Sequence, residues 1–371
     1  MSAGEKGMDI GRQPAAGIIA SILVVVVSIL VSVAFRPDYF LSWVNLLMVS
    51  MVPIQIVIGL VWHCRQPESF GRLPQPVRGL AFLLLTVAVG VLVAVVSNSA
   101  IGGGLTPPTP FVNMFVILSV LVTIGLVIPL QCWPFISILG KRPVMMGFAL
   151  LVAAYAITWI LFTTLFDFGF LHQAPFYLDA LDPHGSFNAW HPLTCGLCSV
   201  ATVLSLVLLD FWPVSILARS VPAFGRQPLF GIAAGALIAL VVTVVWQFCI
   251  VHLGMDVVQL LVRTVSMIFG IFIVLVMFEG APFVRLPQPW RGLALVGAAA
   301  VLGVSMYFLY RYFAVYHFAL PGGAPAYALE LWLATSMLAI TFPFMVFYAN
   351  FFDYWPLRHT SDLASDHPER E

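Results

Sequence analysis

Two charges interrupt otherwise apolar stretches, and they are the first candidates for chemistry. Arg263 and Glu330 lie about two turns and one turn inside their stretches, with Asp256 just beyond Arg263. A charge in lipid is costly, so by default such groups pair or handle a solute. Arg263 could hold an anion while Glu330 gates or carries a proton. Alternatively the two clamp neighbouring helices together. A further structural reading has the charges snorkelling to the interface; the clamp predicts that the two meet.

A second group is rich in histidine and thiol. His191, Cys195 and Cys198 stand at i, i+4 and i+7 behind Pro192, a good first helical residue, so they share one helix face. That face could hold Cu(I) or zinc, or an activated thiol pair; the plainer reading is packing. The preceding segment, about 166–191, carries His172, His184, Asp179, Asp182 and Asn188 without the ligand spacing of a zinc site. It reads as a structured lid with polar residues at an interface. No cofactor is predicted, although a metal ion or haem stays open. Uncharged polar residues inside apolar stretches are candidates for lining a pathway: Asn45, Gln55, Asn113, Gln247, Gln259 and Asn350. Pro53 and Pro343 interrupt the stretches of Gln55 and Asn350 and free carbonyls beside them.

The elements that position these residues follow from composition. The chain has 371 residues, 61% hydrophobic and 9% charged, which excludes a soluble globular enzyme. Lys+Arg and Asp+Glu number 16 each, so no net field draws nucleic acid. Ten stretches are long and apolar enough to span a bilayer, at roughly 14–35, 41–62, 78–97, 111–131, 144–165, 192–211, 229–251, 257–278, 292–312 and 326–350. The expected fold is an all-α polytopic membrane protein of five hairpins, with polar tails at 1–13 and 357–371.

Basic residues set the orientation. The tails and the connections after even-numbered spans hold 13 of the 16, and the opposite flanks hold only Arg36 and Arg311. Both termini are therefore expected in the cytoplasm of a multi-pass inner-membrane protein.

Residues 70–81 read FGRLPQPVRGLA and 283–294 read FVRLPQPWRGLA, matching at ten of twelve positions. In each, Pro74 and Pro76, or Pro287 and Pro289, stiffen a connector that runs from Arg72 or Arg285 to a helix-opening Arg78 or Arg291. There the two arginines can meet lipid phosphates. Three other turns carry Trp133-Pro134, Trp212-Pro213 and Trp355-Pro356, with Trp at headgroup level and Pro ending the helix. The order of turn types predicts a parallel repeat, with spans 1–4 (about 14–143) recurring as spans 7–10 (about 229–356) around a middle hairpin (about 144–228).

Placement of the basic Gly-containing turns, Gly71-Arg72 through Arg78-Gly79 and Arg285 through Arg291-Gly292, resembles the motif positions of the major facilitator superfamily. That resemblance implies transporters with a repeated helical half. The motif's Asp is missing here, two prolines interrupt it, and ten spans replace twelve. The RGLA fragment is also similar to membrane acyltransferases, without their nearby Asp and reactive His. Three function classes follow. They are a permease for a small solute with its site between the repeats, a membrane redox or metal-handling subunit, and a non-catalytic scaffold. The expected partners are the bilayer and a small solute, with a homo-oligomer or a membrane complex left open.

Overall fold

A computed structural model describes residues 13–357, and ten long apolar helices account for most of it. They are α1 (Ala15–Ala34), α2 (Pro37–Val61), α3 (Val77–Ala100), α4 (Pro110–Val127), α5 (Pro143–Leu165), α6 (Trp190–Leu208), α7 (Leu229–His252), α8 (Val257–Met277), α9 (Trp290–Phe318) and α10 (Ala328–Phe351). Each is long enough to satisfy its own backbone across a hydrocarbon layer, as lipid requires. The chain is a multi-pass integral membrane protein. Both ends of the described chain emerge on one face, the terminal face. The opposite, loop face carries the long α5–α6 connection. The predicted tails lie almost wholly outside the described residues.

Even- and odd-numbered helices take different places. In the even helices, 50–78% of the most apolar window is buried inside the bundle, against 22–44% in the odd ones. Neighbour relations show why. Helix α2 packs on α4, α4 on α6, α6 on α8, α8 on α10, and α10 returns to α2. The even helices thus close a five-membered inner ring. Odd helices sit outside it in the grooves: α3 against α2 and α10, α5 against α4 and α2, α9 against α8 and α6, α1 against α10 and α8. Helix α7 lies on α6. The tightest groove is that of α8 and α9, where a Cβ on Gly270 would overlap the Ala299 carbonyl.

The terminal face is pinned by a recurring junction. Gln13, Gln75, Gln227 and Gln288 each precede the proline that opens an odd helix. Their amides donate to carbonyls at the ends of even helices: Met277 (3.0 Å), Phe351 (2.7 Å), Pro129 (2.9 Å) and Leu208 (3.2 Å). Glycine follows four residues after each Gln, letting the two backbones approach. Helix α5 uses another device, with Trp62 Nε1 donating to the Pro143 carbonyl at 2.8 Å. Every even helix also ends in two consecutive left-handed residues: His63-Cys64, Gln131-Cys132, Asp210-Phe211, Glu279-Gly280 and Asp353-Tyr354. The second of each pair returns its N–H to a carbonyl in the last helical turn, as in Schellman-type ends.

The RLPQP arginines make contacts within the protein. Arg78 Nη2 stands 3.8 Å from Asp353, and Arg291 Nη2 donates to the Gly280 carbonyl at 2.7 Å. Both are turned to the ends of neighbouring helices. The reason is packing: each Arg stands in the first turn of an odd helix, which sets Arg78 beside the end of α10 and Arg291 beside the end of α8. Arg72 pairs with Glu68 on the surface, and Trp133, Trp212 and Trp355 are partly exposed.

Candidate functional site

Each even helix turns one stripe of residues toward the ring axis. On α2 the stripe runs Leu41, Asn45, Val49, Val52, Ile56, Leu60 and His63, a helical spacing of three or four throughout. The corresponding stripes of α4, α6, α8 and α10 line the same three spaces in the same order. A loop-side cavity of about 410 Å³ comes first. A constriction of about 70 Å³ follows, walled only by aliphatic residues and two phenylalanines. A terminal-side vestibule of about 720 Å³ completes the row. Val49, Ile117, Leu197 and Leu338 belong to both the first and second spaces; Ile124, Phe272 and Phe342 belong to both the second and third. The three spaces therefore form one axial series.

The constriction is closed by rings. Phe272 of α8 and Phe342 of α10 stack with centroids 4.1 Å apart and planes at 27°. Each lies one turn from an apolar stripe neighbour, Ile268 and Leu338. Among the described residues, none that lines the constriction is polar, so a water or ion here would find no partner.

The loop-side cavity is mostly apolar. Its polar feature is a carboxamide pair, Asn45 Nδ2 donating to Asn113 Oδ1 at 3.1 Å, both nearly buried. The α5–α6 connection covers it with Phe170, Leu171 and Phe176. That connection is shaped by a two-residue parallel pair, β1 (Phe166–Asp167) with β2 (Phe187–Asn188), and by the buried Asp182. Asp182 accepts from the backbone N–H of Phe168 (3.2 Å) and of His184 (3.0 Å) and from the Tyr177 hydroxyl (2.9 Å).

The vestibule is the polar end. Gln55, Asn350, His63, Arg65, Arg78, Glu279 and Asp353 all face it. Burial pushes the Cys64 thiol up to about 12; Arg78 draws it down, and Asp353 adds a smaller upward push. Gln55 is 1% exposed, and neither its Nε2 nor its Oε1 has a protein partner.

Of the sequence-predicted residues, Asn45, Gln55, Asn113 and Asn350 line these spaces, and the other candidates lie elsewhere. Arg263 and Glu330 do not meet. Arg263 is exposed, its guanidinium donating to Met255 Sδ at 3.1 Å. Glu330 Oε1 accepts the Gly323 N–H at 2.9 Å, and no ion pair joins the two among the described residues. Similar depth along two helices leaves their rotation free, and here Arg263 faces outward while the α9–α10 connection captures Glu330. Gln247 and Gln259 are exposed, away from the axis. His191 stacks edge-on against Trp246, His172 against Tyr177, and Cys198 Sγ lies 3.5 Å from Thr264 Oγ1. Among the described residues, the side chains close enough to share a metal ion are Asp167, Asp182 and His184, a set that does not include His191, Cys195, Cys198 or His172. The axial stripes were missed because a uniformly apolar span carries no mark of which face turns inward.

Comparison of the chain with protein-family models, with curated proteins and with solved structures finds no match.

Proposed function

We propose that the protein is a permease of channel type, carrying a small solute along the axis of the inner ring. The observation that carries this reading is the axial series of spaces, lined by the same five helices and interrupted by a single apolar collar. Hydrophobic constrictions gate by excluding water, and widening one by a side-chain rotation wets it. The form with Phe272 and Phe342 stacked is the closed state.

In this reading the hairpin is the repeating unit, taken five times round the axis. A shift of three hairpins carries α1–α4 onto α7–α10, so the parallel repeat read from the two RLPQP turns is one step of that ring. The single bundle of about 14–350 then holds one pathway on its axis rather than a cleft between two halves. Arg65, Arg72, Arg78, Lys141 and Arg142 all lie on the terminal face, which supports a cytoplasmic vestibule and an inner-membrane location.

Accessibility tests the proposal. In a cysteine-free background, single cysteines at Leu204 and Val346 should react with a water-soluble thiol reagent supplied from the terminal face. Cysteines at Val200 and Ile268, at the collar, should stay unreactive. Equal reaction at all four positions, or at none, would remove the pathway.

A further inference from the structure

The vestibule holds two carboxamides directly beneath the collar. Gln55 is one turn on the terminal side of Val52, a collar residue of the same stripe, and it is buried with both amide atoms unpartnered. A buried amide that bonds to nothing destabilises the fold, so its retention at this level needs a partner other than the protein. One turn further along α2 stands Gly59. A Cβ there would come 3.3 Å from Asn350 Nδ2, so the missing side chain leaves room for the Asn350 carboxamide over α2. Gln55 of α2 and Asn350 of α10, which lies over the next turn of α2, line one side of the vestibule.

Charge around the pair is balanced. Arg65 and Arg78 face the vestibule with Glu279 and Asp353, and Arg78 lies beside Asp353. Such a wall favours neither anions nor cations. The collar above offers no polar group, so an ion would have to shed its hydration there without compensation. A neutral molecule sheds far less.

We infer that Gln55 and Asn350 form a binding subsite for a small uncharged solute whose hydrogen-bond donor and acceptor are carried on one carbon, of the amide or urea class. Gln55 Nε2 donates to the solute carbonyl and Gln55 Oε1 accepts its N–H. Asn350 repeats the pairing one turn nearer the mouth, handing the solute between collar and vestibule. The inference rests on the axial pathway proposed above and assigns that pathway its solute class.

The test uses the full chain in proteoliposomes, with urea and chloride as separate probes and empty liposomes as background. The chain, or its Phe272→Ala variant if the collar is shut, should carry urea above background and chloride little or not at all. Gln55→Met keeps the side-chain length and removes both polar atoms. It should cut urea flux about tenfold or more, since two hydrogen bonds to the solute are lost, while raising the melting temperature. Gly59→Ala, which crowds Asn350 without touching Gln55, should lower urea flux several-fold and serves if Gln55→Met does not fold. Unchanged urea flux in the folded variants would overturn the subsite and leave the pathway standing. Chloride flux without urea flux would do the same. No flux of either probe through the Phe272→Ala variant would overturn the pathway itself.

Discussion

Opening the collar is the decisive perturbation. Phe272 and Phe342 are 8% and 7% exposed, and their stacked rings separate a cavity of about 410 Å³ from one of about 720 Å³. A neutral amide crossing a dry apolar ring loses its hydrogen bonds to water, at a cost of roughly 2–7 kcal/mol. Phe342→Ala removes one ring from the axis and lets water reach the solute from both sides. Restoring about half of the lost bonding lowers the barrier by about 1–3 kcal/mol, or roughly 5- to 150-fold in rate. The substitution also costs stability. Burying a Phe is worth about 3–5 kcal/mol against Ala, and the low end applies because this ring already borders a cavity. Phe344→Ala is the control, since that ring lies on the same helix against Phe347 and does not line the constriction. Both variants should be checked for monodispersity and melting temperature, then compared by stopped-flow urea flux in proteoliposomes. Equal flux through folded Phe342→Ala and Phe344→Ala would refute the gating argument.

Other outcomes follow from single contacts. With its thiol pushed up to about 12, Cys64 is almost wholly protonated at pH 8 and should react with a maleimide about a thousandfold more slowly than a free thiol. The rate should climb with pH beyond 9, and Arg78→Gln, which removes the group that lowers this pKa, should slow it further; a faster rate would contradict the geometry. Arg263→Met and Glu330→Gln should be additive in thermal melting, because no ion pair joins them; measurable coupling in a double-mutant cycle would show otherwise. Gly270→Ala places a Cβ into the Ala299 carbonyl and should destabilise the α8–α9 groove by several kcal/mol, seen as lost folded yield; a wild-type melting temperature would count against that packing. Asp182→Asn gives up a charged acceptor of two backbone N–H groups and a hydroxyl, and should expose residues 168–184 to hydrogen exchange and proteolysis while the helices stay protected.

Ten helices were legible because lipid leaves the backbone no alternative, and apolar length alone marks a span. Boundaries agree to within a few residues, apart from α9, which runs on to Phe318 through Arg311, Tyr312 and Tyr316. Which helices form the inner ring was not legible. In water a buried face announces itself by contrast with a polar one, but lipid tails are as apolar as a protein core. The exposed Leu84 of α3 and the buried Leu204 of α6 are chemically the same choice. Only rare polar side chains broke that symmetry, and Asn45, Gln55, Asn113 and Asn350 do lie on even helices and line the axial spaces. The charged candidates misled for a related reason. Arg263 could extend from the outward face toward the loop-face surface, so its place on α8 said little about the axis. The junction at the terminal face was half visible. The RLPQP turns stood out as twelve-residue matches, whereas Gln13-Pro14 and Gln227-Pro228 share too few letters with them to be noticed until their hydrogen bonds are seen.

Five inner helices also fix the scale of the space they enclose. Packed helices stand about 8–10 Å apart, so five on a ring place each axis roughly 7–8.5 Å from the centre. A helix with its side chains reaches about 5–6 Å from its own axis, which leaves an opening of roughly 1–3.5 Å in radius. Four helices at the same spacing would close almost completely, and six would leave a hole that no single side chain could plug. With five, small inward residues leave room for a solute of a few heavy atoms, and one layer of large ones seals the axis. The stripes follow that rule. At the collar the inward residues are Val52, Val120, Val200, Ile268 and their neighbours with Phe272 and Phe342, whereas two turns below, Gly59 and Ala349 stand on the vestibule wall. The same backbone ring is therefore shut at one level and open at the next by side-chain size alone. On the proposed reading, rotation of two aromatic rings would open the axis without movement of the hairpins.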